Sequence, residues 1–264
     1  MGVRRLSCGC ALPSGTRISD SITSGGRHFQ PFPTRLPLRA QLNLGKSRLE
    51  SRIGELARDR RVYPYVVATV ARGGDGVFRQ EGCSPNLQGG IITLCDCKHH
   101  MRSSSYFADY RGVWIAGLTR GGLTAKHRRY LFYLMFARPV TSHAELWKSL
   151  RATTRMAKSA RLDPLGDIYE PVRSGLEGDE CFAADNYRRP VAGHVHQHVW
   201  RRDLEQTYRK TRRRPVLLKG EPILSFIWSL PRLWLSERAG PLPRTPGRSE
   251  NIAAFMNRLR EESL

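Results

Sequence analysis

No stretch of this 264-residue sequence is long and apolar enough to span a bilayer. Arg4-Arg5 is followed by no hydrophobic signal region. A soluble, cytoplasmic protein with no membrane partner is therefore expected. Acidic residues are scarce: 23 stand against 44 lysines and arginines, and the surplus of +21 would draw the chain to phosphate backbones or an anionic membrane face. Lysine is scarce too, confined to positions 46, 98, 126, 148, 158, 210 and 219, so arginine carries the surplus, a bias that codon usage also produces. Six cysteines without a secretory signal read as reduced thiols rather than a disulfide framework. The chain has no Gly-rich phosphate loop, dinucleotide fingerprint, nucleophile elbow or metalloprotease motif, which sets aside the enzyme classes that those motifs mark. It has no internal repeat.

Residues 1–44 are rich in Arg, Ser, Gly and Pro and nearly lack acids, so a disordered leader is expected there, with Pro31, Pro33 and Pro37 interrupting any helix. Residues 45–235 form the expected core domain. Residues 236–264 read as a linker and a short amphipathic helix built on Ile252, Phe255, Met256 and Leu259. Within the core, Leu49, Ile53 and Leu56 predict a helix over 46–61, and β-branched content predicts strands over 65–70, 89–97, 112–119 and 130–140. Ser142 and Glu145 have capping-box spacing, so a helix should begin at Ser142 with Leu146, Trp147 and Leu150 on its apolar face. A surface loop is expected over 161–190, and the alternation from His194 to Trp200 suggests a strand. Short strands joined by glycine loops predict an α+β fold around a curved antiparallel or mixed sheet, a PUA-like pseudobarrel flanked by helices.

Three clusters could carry chemistry. Pro85-Asn86 followed by Gly89-Gly90 suits a place where the backbone turns sharply and approaches something closely, Asn86 offering both donor and acceptor; an ordinary structural turn uses the same residues. Cys95, Cys97, His99, His100 and the distant Cys83 invite a zinc reading, but Cys-x-Cys is too tight for the usual ligand pairs. His194, His196 and His198 on one strand face more often make a polar row than a metal site. No metal and no cofactor are therefore expected. The third cluster, Arg201, Arg202, Arg209, Lys210, Arg212, Arg213 and Arg214, has Trp200 and Tyr208 among its cations, the combination that holds phosphates and stacks bases.

The order of motifs over about 62–234 resembles the second family of nucleotide modification associated domains. Ser84-Pro85-Asn86, Gly89-Gly90, Thr93-Leu94, Cys97-Lys98 and Arg102 are similar to that family's first block, and Gly112 with Trp114-Ile115-Ala116-Gly117 to its second, where Val113 replaces an Asp. Gly166-Asp167-Ile168-Tyr169 resembles a third block without its Asn, and Val216-Leu217-Leu218 with Phe226 a late strand. The resemblance implies a nucleic-acid-associated domain that binds, or takes part in making, modified nucleotides, with DNA ahead of RNA as partner. It implies Pro85, Asn86, Gly89, Gly90, Thr93, Lys98, Arg102, Trp114 and Tyr169 as nucleotide contacts and Cys97 and Asp167 as catalytic candidates. Two alternatives stay open: an enzyme acting directly on nucleotides through Asn86, Cys97, Lys98 and Asp167, and a non-catalytic defence or toxin-like module that docks on DNA or RNA.

Overall fold

The most apolar stretches of the sequence lie at the centre of the computed structural model, which describes residues 23–24, 27–30, 32, 41–54, 60–107, 112–123, 127–236, 242 and 249–262. Among the described residues run twelve strands and six α-helices in an α+β arrangement. In chain order these are β1 (Thr23–Ser24), β2 (Arg27–Gln30), α1 (Lys46–Ile53), β3 (Arg61–Val66), β4 (Val70–Arg72), β5 (Phe78–Glu81), β6 (Thr93–Leu94), α2 (His99–Arg102), β7 (Val113–Leu118) and β8 (Arg128–Val140). They continue with α3 (His143–Ser149), α4 (Ala152–Lys158), α5 (Trp200–Glu205), β9 (Leu217–Ile227), β10 (Leu233–Ser236), β11 (Glu250–Asn251), α6 (Ile252–Arg258) and β12 (Arg260–Glu261).

Every residue of β7 is buried. Val113 and Ile115 pack into one apolar cluster, while Trp114, Ala116 and Leu118 pack into another, so the sheet is covered on both faces. This is why β7 and β8 read as continuous apolar runs rather than alternating ones. Each large side chain buried this way stabilises the fold by about 1.5–3 kcal/mol. Leu49 and Ile53 of α1 with Ile252, Phe255 and Met256 of α6 cover one face. Val70 and Phe78 of a smaller sheet, with Leu87, Ile92, Leu94 and Met101, cover the other.

The main sheet runs β11-β3-β7-β8-β10-β12, with β9 paired to both β8 and β6, and the smaller sheet runs β1-β2-β5-β4. Only β3 and β7 pair in parallel among the described strands, so the main sheet is mixed and open. Its edge strands β11 and β12 are joined by α6. Laid flat, six strands would hold their edges about 24 Å apart, farther than the about 20 Å that a seven-residue helix with short extended ends can cover. The sheet must therefore curl, and irregularities at Gly117/Leu118 and Met135/Ala137 loosen the ladder where it does so.

The expected strands over 112–119 and 130–140 and the helix at 142 are present, with Ser142 Oγ accepting from Glu145 N at 3.2 Å. The Glu145 carboxylate reaches back to Thr141 N, one residue earlier than the capping box places it. Four expectations differ. The strand over 65–70 is instead the end of β3 and the start of β4, parted by a turn over 67–69 in which Val70 N donates to Val67 O at 3.2 Å. The stretch 89–97 is a strand only at Thr93–Leu94, because Gly89 and Gly90, at φ 68° and 80°, turn the chain. His194 to Trp200 is not a strand: Gly193 at φ 81° and the bonds Gln197 N to His194 O and Val199 N to His196 O wind it into turns leading to α5. The helix at 46 ends at Ile53, where Gly54 caps it at φ 57°. Most of the expected leader lies outside the described residues, but β2 pairs with β5, and Gln30 Nε2 donates to Gly82 O and Pro85 O at 2.7 Å each.

Candidate functional site

The segment 83–102 crosses the face of the main sheet that the smaller sheet also covers and carries two buried polar groups of residues. In the first, Asn86 and Thr93 face each other across a tight turn through paired backbone bonds of 2.9 and 3.0 Å. The Lys158 ammonium, at the end of α4, is fully buried and donates to Asn86 O at 3.1 Å, Asn86 Oδ1 at 2.8 Å and Thr93 Oγ1 at 2.8 Å. Thr93 passes a 2.7 Å bond to Asp167 Oδ2, and Asn86 Nδ2 donates to Leu165 O at 2.8 Å. Burial holds Lys158 down to about 8 and pushes Asp167 up, each countered by the other's charge. Gly89 is approached by α4: Thr154 Oγ1 donates to its carbonyl at 2.8 Å, and a Cβ at Gly89 would stand 3.2 Å from the Thr154 backbone.

The second group lies on the other side of the segment. Cys83 Sγ donates to Asp96 Oδ2 at 3.6 Å, and Cys83, Asp96 and His196 bring ligand atoms within 4.8 Å of one another, all buried. His196 Nδ1 and Asp203 Oδ2 are 2.6 Å apart, with Asp203 in turn 3.8 Å from His99 Nε2. His194 is fixed by Gly166 O at 2.7 Å and accepts from His196 N at 3.0 Å. Burial keeps His99 at about 3 and His194 at about 4, so both are neutral, and it pushes the Asp96 carboxyl up to about 8. Arg102 is the buried cation here, donating to Cys97 O and Val216 O at 2.6 Å each. Its charge draws Asp96 down against the larger effect of burial. Asp96 Oδ1 and the Tyr169 hydroxyl are buried without a hydrogen-bond partner, and burial pushes the Tyr169 hydroxyl well above its ordinary value. A cavity of about 30 Å³, room for a water or an ion, is bounded by Cys83, His196, Cys97, Lys98, Tyr65 and Glu81.

The residues singled out in the sequence are thereby divided. Asn86, Thr93 and Asp167 meet in the Lys158 group, Gly89 and Gly90 form its turn, and Pro85 O instead accepts from Gln30. Cys97 and Lys98 bound the cavity, the Lys98 ammonium 4.5 Å over the Tyr65 ring. Arg102 is buried against carbonyls, and Tyr169 packs on His143 and Trp200. Trp114 lies in the core on the opposite face, against Phe136 and Phe226.

Arg201 and Arg202 are exposed on α5, Arg201 pairing with Asp185. Arg209, Lys210, Arg212 and Arg213 are exposed on a turn closed by Tyr208 and Arg213, while Arg214 pairs with Asp179 at 3.2 Å and lies over Phe182. Tyr208 stacks on His100 at 5.1 Å, which sets the turn beside α2 and the cavity wall. Sequence reasoning missed Lys158, His143 and the pairing of His196 with Asp203; nothing local marks a lysine that ends a short helix as buried. No family model matches this chain, and no curated protein or solved structure matches it.

Proposed function

We propose that this protein is a cytoplasmic, nucleic-acid-associated domain that binds modified nucleotides or takes part in making them. The observation that carries the reading is the place of the basic turn. Its Tyr208 stacks on His100, and its exposed Arg209, Lys210, Arg212 and Arg213 therefore stand next to the segment whose motifs resemble nucleotide modification associated domains. A phosphate backbone on that turn would run past Lys98 and the small cavity. The surplus of +21 supports long-range attraction of the same partner, DNA ahead of RNA. A PUA-like pseudobarrel belongs to this proposal, supported by the curl of the mixed sheet.

The cavity admits a water or an ion rather than a base, so in this reading a base stacks at the surface, with Tyr208 and His100 as the available rings. The test is binding to duplex and single-stranded DNA across a salt series. We expect log affinity to fall against log salt by about 0.9 per neutralised phosphate on duplex DNA, and the slope to flatten by two or more such steps in Arg209→Ala/Arg212→Ala/Arg213→Ala. An unchanged slope in the triple variant would remove the turn from the interface. Saturable binding of a free nucleotide with none to polymers would favour an enzyme acting directly on nucleotides.

A further inference from the structure

We propose that Cys83, Asp96 and His196 hold one divalent metal ion of the zinc type, through the thiolate, a carboxylate oxygen and an imidazole nitrogen. The ligand atoms lie within 4.8 Å of one another, while ligands around a tetrahedral zinc stand about 3.3–3.8 Å apart. Closing that difference falls to rotation of the three side chains. A sulfur, nitrogen and oxygen set suits zinc and disfavours magnesium or calcium, which take oxygen alone.

Three independent features support the site. His196 gives Nδ1 to Asp203 at 2.6 Å, the carboxylate–histidine arrangement that orients a metal-bound imidazole and leaves Nε2 as the nitrogen the metal would take. Asp96 Oδ1 is buried with no hydrogen-bond partner, a cost that a cation removes. Binding displaces the thiol proton to solvent. Cys83 and His196 also line the 30 Å³ cavity, so a fourth position for water lies open there, as in sites with three protein ligands. The spacing 83, 96, 196 explains why the tight Cys95-Asp96-Cys97 pattern pointed away from a metal: only its central residue belongs to the set.

The experiment uses the full, untagged chain, stripped with a chelator and then titrated with zinc and, separately, with cobalt(II). We expect about one equivalent of zinc after desalting, a rise in thermal midpoint on zinc addition, and a thiolate-to-cobalt charge-transfer band. Cys83→Ser and His196→Asn should abolish the band, Asp203→Asn should weaken metal affinity 10–100-fold, and Cys95→Ser and Cys97→Ser should keep it. Circular dichroism identifies variants that have not folded, and in that case the wild-type cobalt spectrum decides. Absence of stoichiometric uptake by the wild-type chain would overturn the proposal, as would full uptake by a folded Cys83→Ser variant or a cobalt complex without thiolate absorption. None of these readouts depends on nucleic-acid binding, so the two proposals fail separately.

Discussion

The two polar groups flanking segment 83–102 are equally buried and differ in how their charges are met. Around Lys158 one cation faces one carboxylate, and three oxygens take the ammonium protons. Around Asp96 an acid and a thiol meet the His196–Asp203 pair, and the Arg102 guanidinium is bonded to carbonyls instead. The first group carries its own cation and acts as a joint that ties α4 and the 165–168 stretch to the turn at Asn86, with Asp167 Oδ1, like Asp96 Oδ1, buried without a hydrogen-bond partner. The second gathers sulfur, oxygen and nitrogen donor atoms within 4.8 Å of one another, which is the donor set a cation site requires. Burial alone therefore does not separate a structural network from a binding site; the set of donor atoms does.

The contrast is broken most directly at Lys158. Lys158→Met should cost about 3–5 kcal/mol in urea denaturation by stranding Asp167, and adding Asp167→Asn should recover at least half. A loss below about 1 kcal/mol would mean that the pair is not compensated as described. Next in size is the pH response. Lys158 titrates at about 8 when folded and near 10.5 when unfolded, so between those values the unfolded chain binds more protons and stability rises with pH. Relative to Lys158→Met, the wild type should gain up to about 3 kcal/mol from pH 8 to 10.5; parallel curves would refute this.

Ser142→Ala gives a reference for an ordinary polar contact, since it removes the α3 cap at the cost of about 1 kcal/mol. A loss near that at Lys158 would erase the distinction. The smallest effect belongs to the second group. In chelator-treated protein Asp96→Asn removes a buried acid, so stability should stay within about 1 kcal/mol of wild type or rise. A loss as large as that at Lys158 would make the two networks alike.

The fold was legible where apolar content is dense. β7, β8, the capped α3 and α6 stand where the sequence puts them, because each buries a long or periodic apolar run. Alternation misled at His194 to Trp200, where local turn bonds compete with a strand and Gly193 decides the outcome. The turn at Asn86 was readable as a turn, but its buried anchor was not, since Lys158 sits in a helix otherwise rich in polar residues and looks solvated. The Cys83, Asp96 and His196 grouping was beyond local spacing altogether, because three distant segments converge to make it.

The path β11-β3-β7-β8-β10-β12 begins and ends in strands only nine residues apart along the chain, with α6 strapped between them. A ribosome delivers this strap after every other described element. Until residues 250–261 emerge, β3 and β10 both face the cell as bare ladders, and α1 alone of the two covering helices shields the face between them. A nascent chain halted before position 250 would thus be sticky along two margins at once, and quality-control machinery would meet it as an unfinished sheet rather than as a shortened protein.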